Sequence, residues 1–317
     1  MTTQTGTVFR KLGSKHFVHV DGRTVACSLS SKLHKQLLYP TADPGSLHHR
    51  VVGVRGIAAV DPVAIGDIVE FTDSDDGTGM ITNVLPRKNH FSRRAPGTKP
   101  LEQVIVANVD QVLAVMAAAQ PAPKWNLLDR YLIAAEAADV PAVICITKMD
   151  LAEANRIEAD MKTYTDIGYQ LILTSCVTRE GLDRFTDTLR GRTSVLLGKS
   201  GVGKTTLLNA IQPDLGLRVK EVSASTGKGK HTTTHLEMFS LDIGGQIVDT
   251  PGMREFGAWN VEQSDLAQLF PEMRPYLGQC RFAPCTHTHE PDCAVKQAVA
   301  ARHITEHRYE SYLQLRQ

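Results

Sequence analysis

The hydrophobic rhythm of the chain changes twice. Over roughly the first ninety residues, apolar and polar positions alternate in short runs, at 6–10, 15–20, 24–28, 51–60, 68–72 and 80–85. A period of two predicts half-buried β-strands. Asp21-Gly22 separates two of these runs and predicts a tight hairpin turn, and Gly66-Asp67 predicts another. The stretch 38–49 carries two prolines and predicts a long loop. Five or six short strands in this length predict a small all-β barrel of the OB type.

From about Gln103 the strands become continuous apolar runs, at 111–116, 142–146, 170–173 and 194–197. Helical patterns lie between them, at 125–138 with Leu128, Tyr131, Leu132 and Ala135 on one face, and at 181–189. Two more strands, 236–241 and 246–248, flank Gly244-Gly245. Alternating strands and helices predict an α/β domain around a parallel sheet. Beyond residue 260, Leu266, Leu269, Phe270 and Met273 recur at helical spacing as core positions, and 294–317 predicts one or two helices. The expected domains are therefore 1–96, 97–260 and 261–317.

The composition of the 317 residues is that of an ordinary globular chain, with 42% hydrophobic and 22% charged residues and a net charge of +1. A basic surface must therefore be local. Residues 1–95 supply one, with twelve Lys/Arg against eight Asp/Glu. Arg87, Lys88, Arg93 and Arg94 surround Phe91, a mixture suited to phosphate pairing and base stacking, so RNA is the expected partner of this domain. No apolar run approaches the ~20 residues of a membrane helix. The first residues lack the basic and apolar regions of a signal peptide, so a cytoplasmic location and no membrane partner are expected.

Gly198-Lys199-Ser200-Gly201-Val202-Gly203-Lys204-Thr205 fits the phosphate-loop pattern G-x-x-x-x-G-K-[ST]. It has the required context, an apolar strand before it and a helical stretch from Thr206 after it. Its glycines let successive N–H groups turn inward toward phosphate oxygens. Lys204 can reach the outer phosphates, and the Thr205 hydroxyl can ligate Mg²⁺. Thr147-Lys148-Met149-Asp150 follows a buried strand, where open α/β sheets bind ligands. The Asp150 carboxylate can accept bonds from a guanine ring nitrogen and exocyclic amine, and the Lys148 stem can cover the base. Ser175 and Cys176 end the next strand, where a backbone N–H can meet the base. Asp249-Thr250-Pro251-Gly252 ends another: Asp249 can hold Mg²⁺ through water, and Gly252 can bring an N–H to the γ-phosphate. The run 226–235, rich in glycine, lysine and threonine, predicts a mobile loop. His231 and His235 are four apart, but the glycines and threonines around them argue against a helical zinc site.

Cys27, Cys145 and Cys176 are scattered, whereas Cys280-x₄-Cys285-x-His287-x₅-Cys293 is compact. Three thiolates and an imidazole suffice for tetrahedral Zn²⁺, and a closed set of four predicts a structural site. His289 is the rival nitrogen ligand.

The guanine motifs precede the phosphate loop, the reverse of the usual GTPase order. The combination of 198–205 with His231-Thr232-Thr233-Thr234 and Asp249-Thr250-Pro251-Gly252-Met253-Arg254-Glu255-Phe256-Gly257 resembles the circularly permuted ribosome-assembly GTPases of the RsgA (YjeQ) type. The resemblance spans essentially the whole chain, although Thr147 stands where that family usually has Asn. It implies GTP hydrolysis to GDP and phosphate, stimulated by the small ribosomal subunit and acting late in that subunit's maturation. It also implies zinc held with His287 rather than His289. Met253 follows the D-x-x-G glycine, where many GTPases carry a water-orienting Gln, and methionine cannot orient water. The resemblance points instead to His231, whose imidazole suits that task, and to a switch threonine, here Thr233, sensing Mg²⁺ and γ-phosphate. A monomer with slow intrinsic hydrolysis is expected. The competing readings are an RNA-binding switch whose hydrolysis is incidental, and an ATPase or kinase, against which Thr147 to Asp150 argue.

Overall fold

Alternation at the start of the chain produces an antiparallel meander. In the computed structural model, which describes residues 3–34, 62–94, 102–152, 154–215, 237–249 and 261–316, β1 (Thr3–Leu12), β2 (Lys15–Val20) and β3 (Arg23–Leu29) pair in sequence. Asp21 and Gly22 take φ of 47° and 76° between β2 and β3. Positive φ at both central residues matches the turn to the strand twist, which is why Asp-Gly stands there. α1 (Ser31–His34) follows, with the Ser30 hydroxyl accepting the Leu33 N–H at 3.3 Å. β4 (Ile68–Asp73) and β5 (Thr78–Val84) complete the order β1-β2-β3-β5-β4. β4 then pairs back onto β1, from Thr3 opposite Thr72 to Thr7 opposite Ile68, so the five strands close into the expected barrel. Val8, Val18, Val25, Phe71 and Ile81 fill it and are fully buried. The strand expected at 51–60 and the loop at 38–49 lie outside the described residues.

β6 (His90–Arg94) and β7 (Glu102–Ala107) form a separate two-stranded pair that spans the boundary expected at residue 96. A bridge from Ile65 to Val106 ties it to the barrel chain. At Gly66, with φ of +85°, a Cβ would lie 2.1 Å from the Ala107 carbonyl oxygen, so only glycine fits.

The described residues divide into two compact units. The first holds the barrel, β6 and β7, most of β11 (Thr193–Leu197), and β12 (Glu237–Ser240) and β13 (Gln246–Asp249). β11 and β13 are parallel, with Leu196 opposite Asp249, and β12 joins β13 to β1 through Glu237 opposite Arg10. The second unit holds β8 (Gln111–Ala117), β9 (Ala142–Thr147) and β10 (Gln170–Leu173), all parallel. Every residue of β8 is buried, which is why it reads as an apolar run from Val112 onward, and the one polar side chain, Gln111, donates to the Thr188 carbonyl at 2.7 Å. α2 (Trp125–Ala137), α3 (Ala154–Ile167), α4 (Leu182–Leu189) and α5 (Lys204–Ile211) belong to this unit, as does the tail with α6 (Ala294–Ala300) and α7 (Glu306–Arg316). The apolar residues expected on one helix at 266–273 lie instead on a 3₁₀ turn, Leu266–Leu269, and the turn after it. Pro271 has no N–H to continue a helix. Leu266, Phe270 and Met273 are nevertheless buried, with Val295, Ile304 and Tyr312.

A buried ionic group fastens α7 to α2. Arg308 donates from Nη1 to Asp129 Oδ1 at 2.6 Å, and from Nε and Nη2 to the Glu272 carboxylate at 2.6 and 3.2 Å. Asp129 also accepts from Tyr164 of α3 at 2.9 Å and from Ser311, and it pairs with His307 at 3.1 Å. Asp129 and Arg308 are both 0% exposed. Among the described residues, no helix is long and apolar enough to cross a membrane.

Candidate nucleotide site and cysteine–histidine cluster

The phosphate loop curls between the end of β11 and the start of α5. Gly198 opens it against β8, where a Cβ would lie 2.5 Å from the Val115 carbonyl oxygen. Gly201 and Gly203 take φ of 84° and 96°, and Gly203 caps α5. The Lys204 ammonium donates to the carbonyls of Gly198 at 2.6 Å and Lys199 at 3.3 Å, which sets the charge inside the curl. Lys204, Thr205 and Thr206 form the first turn of α5, whose N–H groups have no acceptor within the helix. That turn offers donors and a partial positive charge to an anion.

Residues 147–150 lock onto this loop. Thr147, 3% exposed at the end of β9, donates its hydroxyl to the Val202 carbonyl, with the Met116 carbonyl 3.3 Å away. Thr147 therefore ties the strand end to the phosphate loop, a task that needs one donor and no amide. Lys148, with φ of 59°, spans the loop and donates to the Gly201 carbonyl at 2.8 Å and to that of Gln120. Asp150 is exposed on the 3₁₀ turn Met149–Leu151, and its Oδ1 accepts the Ser175 hydroxyl at 2.6 Å. The Ser175 oxygen in turn accepts the N–H groups of Val177 and Thr178 at 3.2 and 3.1 Å. This relay aims the carboxylate and leaves Oδ2 without a partner among the described residues. Burial, with the charge of Asp150 adding to it, raises the Cys176 thiol above its ordinary value and keeps it protonated.

A carboxylate held in this way suits a base with two adjacent donors, as guanine has and adenine lacks. Asp150→Asn turns one acceptor into a donor. GTP affinity should fall by about 10- to 150-fold, since a bond to a charged group contributes about 1.5–3 kcal/mol. Xanthosine triphosphate, with an acceptor in place of the guanine amine, should recover most of it. An unchanged Kd for GTP by titration calorimetry would remove Asp150 from the base site.

In the tail, the ligand atoms of Cys280, Cys285, His287 and Cys293 lie within 4.8 Å of one another. The Cys280 and Cys293 sulfurs are 3.8 Å apart, and His287 Nδ1 is 3.5 and 3.4 Å from them. A tetrahedron of ~2.3 Å Zn–S bonds has edges of about 3.8 Å. The donor set and its spacing thus fit zinc. His289 is exposed and shares a hydrogen bond with Thr288, outside the cluster. The ligand loop is held from both sides. Tyr309 and Tyr312 of α7 donate to the carbonyls of His287 and Thr286, both at 2.7 Å. The Glu290 carboxylate accepts the N–H groups of Thr286 and Thr288 at 2.7 and 3.0 Å.

A family model described as RsgA GTPase matches residues 84–259 of this chain. The chain belongs to the RsgA GTPase family. It is 44% identical to the small ribosomal subunit biogenesis GTPase RsgA of Gemmatimonas aurantiaca, over 86% of this chain and 87% of that protein. It is 35% identical to the RsgA of Phocaeicola vulgatus, over 98% and 95%. Among solved structures it resembles YjeQ from Thermotoga maritima, with a TM-score of 0.72 and 29% identity, covering 99% of this chain and 98% of that one. It also resembles YloQ, a circularly permuted GTPase, with a TM-score of 0.69 and 28% identity over 99% and 94%. This RsgA-family protein is therefore a GTP hydrolase with the circularly permuted fold.

His231, Thr233 and Gly252 fall outside the described residues, and Asp249 is described by its backbone alone. Phe91, expected to stack on bases, is 3% exposed, because the β6–β7 pairing turns its ring inward. Arg87, expected to pair with RNA phosphate, grips buried Asp67 through two 2.7 Å bonds. Asp67 in turn accepts the Ala64 N–H at the Gly66 turn, so Arg87 neutralises a structural carboxylate. Lys88 pairs with Asp110, and Arg93 donates to Gln103 at 3.1 Å. The Gln120 carbonyl was not expected in the site and carries no local sequence signal; Ser175 was expected there through a backbone N–H, and its hydroxyl is bonded to Asp150 instead.

Proposed function

We propose that this protein binds the small ribosomal subunit, acts late in its maturation, and hydrolyses GTP there. The observation that carries this reading is the Asp150–Ser175 base end locked onto a phosphate loop that follows it in sequence. That arrangement supports guanine selectivity in the permuted family, whose relatives are named for small-subunit biogenesis. In the proposed assignment, Gly198 to Thr206 cradle the phosphates. Lys204 neutralises their outer charge, and Thr147, Lys148, Asp150, Ser175 and Cys176 hold the base. Thr233 and Gly252 meet the γ-phosphate, and His231 orients the attacking water. Thr205 and Asp249 are the residues that would hold Mg²⁺. When bound, Mg²⁺ supplies charge neutralisation between the β- and γ-phosphates. Such a transfer needs positioning and charge stabilisation more than covalent help, so a loop of preset N–H donors and one lysine carries much of the work.

Sedimentation with separated ribosomal subunits tests the reading. With a non-hydrolysable GTP analogue the protein should travel with small subunits and not with large ones, and GDP should release it. Equal binding in both nucleotide states, or a preference for large subunits, would overturn it.

Cys280, Cys285, His287 and Cys293 would hold a structural zinc that folds the tail. Chelation should make residues 261–317 sensitive to protease while GTP binding persists. An unaltered digestion pattern and far-UV signal after chelation would count against the metal.

A further inference from the structure

The phosphate loop carries a second lysine whose side chain the assignment above leaves without a task. The loop pattern asks for no particular residue at its second position, so the shape of the curl does not require Lys199 there. From Thr193 to Pro213 the chain holds Lys199 and Lys204 and no acidic residue. The Lys199 carbonyl accepts the Val202 N–H at 3.4 Å and the Lys204 ammonium at 3.3 Å, so its backbone is fixed within the curl. Its side chain is not. Lys199 is half-buried, and among the described residues its ammonium makes no hydrogen bond and no ion pair.

The other two lysines of the site are committed to backbone. Lys204 donates to the Gly198 and Lys199 carbonyls, and Lys148 to the Gly201 and Gln120 carbonyls. Drawing a cation part-way out of water without a partner costs stability, and the like charge of Lys204 in the same loop adds to that cost. A triphosphate seated in the curl offsets both. The charge of a lysine also rides on a flexible stem, so it can follow negative charge that moves during a reaction.

In GTP hydrolysis the water oxygen bonds to the γ-phosphorus, and the bond from that phosphorus to the β–γ bridging oxygen breaks. The electron pair of the broken bond leaves on the β-phosphate of GDP, and the protons of the water pass to the released phosphate and to solvent. The transition state spreads negative charge over the γ-phosphoryl oxygens and the leaving oxygen. We propose that the Lys199 ammonium meets that charge and is a second catalytic cation supplied by the loop itself. The inference rests on the reading above in which Gly198 to Thr206 cradle the phosphates.

The test uses full-length protein with and without small subunits. Lys199→Gln keeps most of the stem and removes the charge. It should lower kcat by about 100-fold, the effect of losing one preset donor at developing charge. The Kd values for GTP and GDP should stay within about twofold. Affinity for GDP with aluminium fluoride, which imitates the group in transfer, should fall in step with kcat. Basal and subunit-stimulated rates should fall by the same factor, so the stimulation ratio holds, whereas His231→Ala lowers that ratio. Lys199→Arg keeps the charge and should restore most of the rate. An unchanged kcat in Lys199→Gln overturns the proposal. So does an equal loss of affinity for GTP, GDP and the aluminium fluoride complex, which makes the lysine a contact of the bound state alone. Lys204→Ala tests the cradle. If that variant binds GTP as tightly as the unmodified protein, the cradle reading fails and the proposal with it. If it loses GTP while Lys199→Gln keeps its kcat, the proposal fails alone.

Discussion

Small ribosomal subunits should raise the GTP turnover of this protein by roughly 10³-fold or more, the range seen when P-loop GTPases are activated in trans. Phosphate release measured with and without subunits, at saturating GTP, gives the ratio. The argument starts from a deficiency. Met253 stands where a water-orienting glutamine is common, and a thioether has no donor and is only a weak acceptor. On the proposed assignment the phosphate loop and base end hold GTP without the subunit, so binding and turnover should separate. On the proposed assignment, His231→Ala removes most of the stimulated rate and leaves the Kd for GTP within about twofold. His231 lies in a run rich in glycine and threonine, and contact of the subunit with that run is the proposed control point. Large subunits should give no stimulation. Equal turnover with and without small subunits would sink this account, while full stimulation of the His231→Ala protein would sink only the histidine.

Arg308→Met should destabilise the unit that contains the phosphate loop by about 3–5 kcal/mol, because it strands two carboxylates in an apolar interior. For a unit of this size the melting temperature should fall by roughly 10 °C. Asp129 and Arg308 are completely buried, and Glu272 is 7% exposed at its side chain. Burial by itself would raise the Asp129 carboxyl. Bonds from His307 and Ser311 and the charge of Arg308 outweigh it and leave the group below the ordinary carboxylate range. A depressed carboxyl contributes stability above its unfolded pKa of about 4, and that contribution is lost as pH falls through the folded value. The unmodified protein should therefore lose stability as pH drops below about 4, and the variant should lose less over the same interval. Replacing Asp129, Glu272 and Arg308 together by leucine, methionine and methionine should cost much less than Arg308→Met alone. If the single and triple variants melt alike, lost packing rather than uncompensated charge explains the network.

The sequence by itself determined what depends on neighbours along the chain. Alternation with Asp21-Gly22 specified the first barrel strands, because side-chain direction and turn hand are local properties. The unbroken apolar runs specified the parallel strands, and the glycines, lysine and threonine of 198–205 specified the phosphate loop. The compact spacing from Cys280 to Cys293 likewise marked three cysteines as a group, with His287 and His289 as rivals to join them.

The tertiary structure decided what depends on residues far apart in sequence. Thr147 is read as a change from the usual asparagine until its hydroxyl is found on Val202, 55 residues away. Arg87 reads as a cation with no partner until buried Asp67 is found against it, and Phe91 reads as an open ring until the fold leaves it 3% exposed. Asp129 and Arg308 are 179 residues apart, and nothing near either one announces the other. A helical spacing at 266–273 gave way to turns because Pro271 cannot donate its missing hydrogen bond, yet the same side chains stayed buried. Local backbone chemistry can be read from a few adjacent residues. Which polar group meets which in the interior is settled only when the chain is packed, since a buried charge takes whatever partner the fold brings to it.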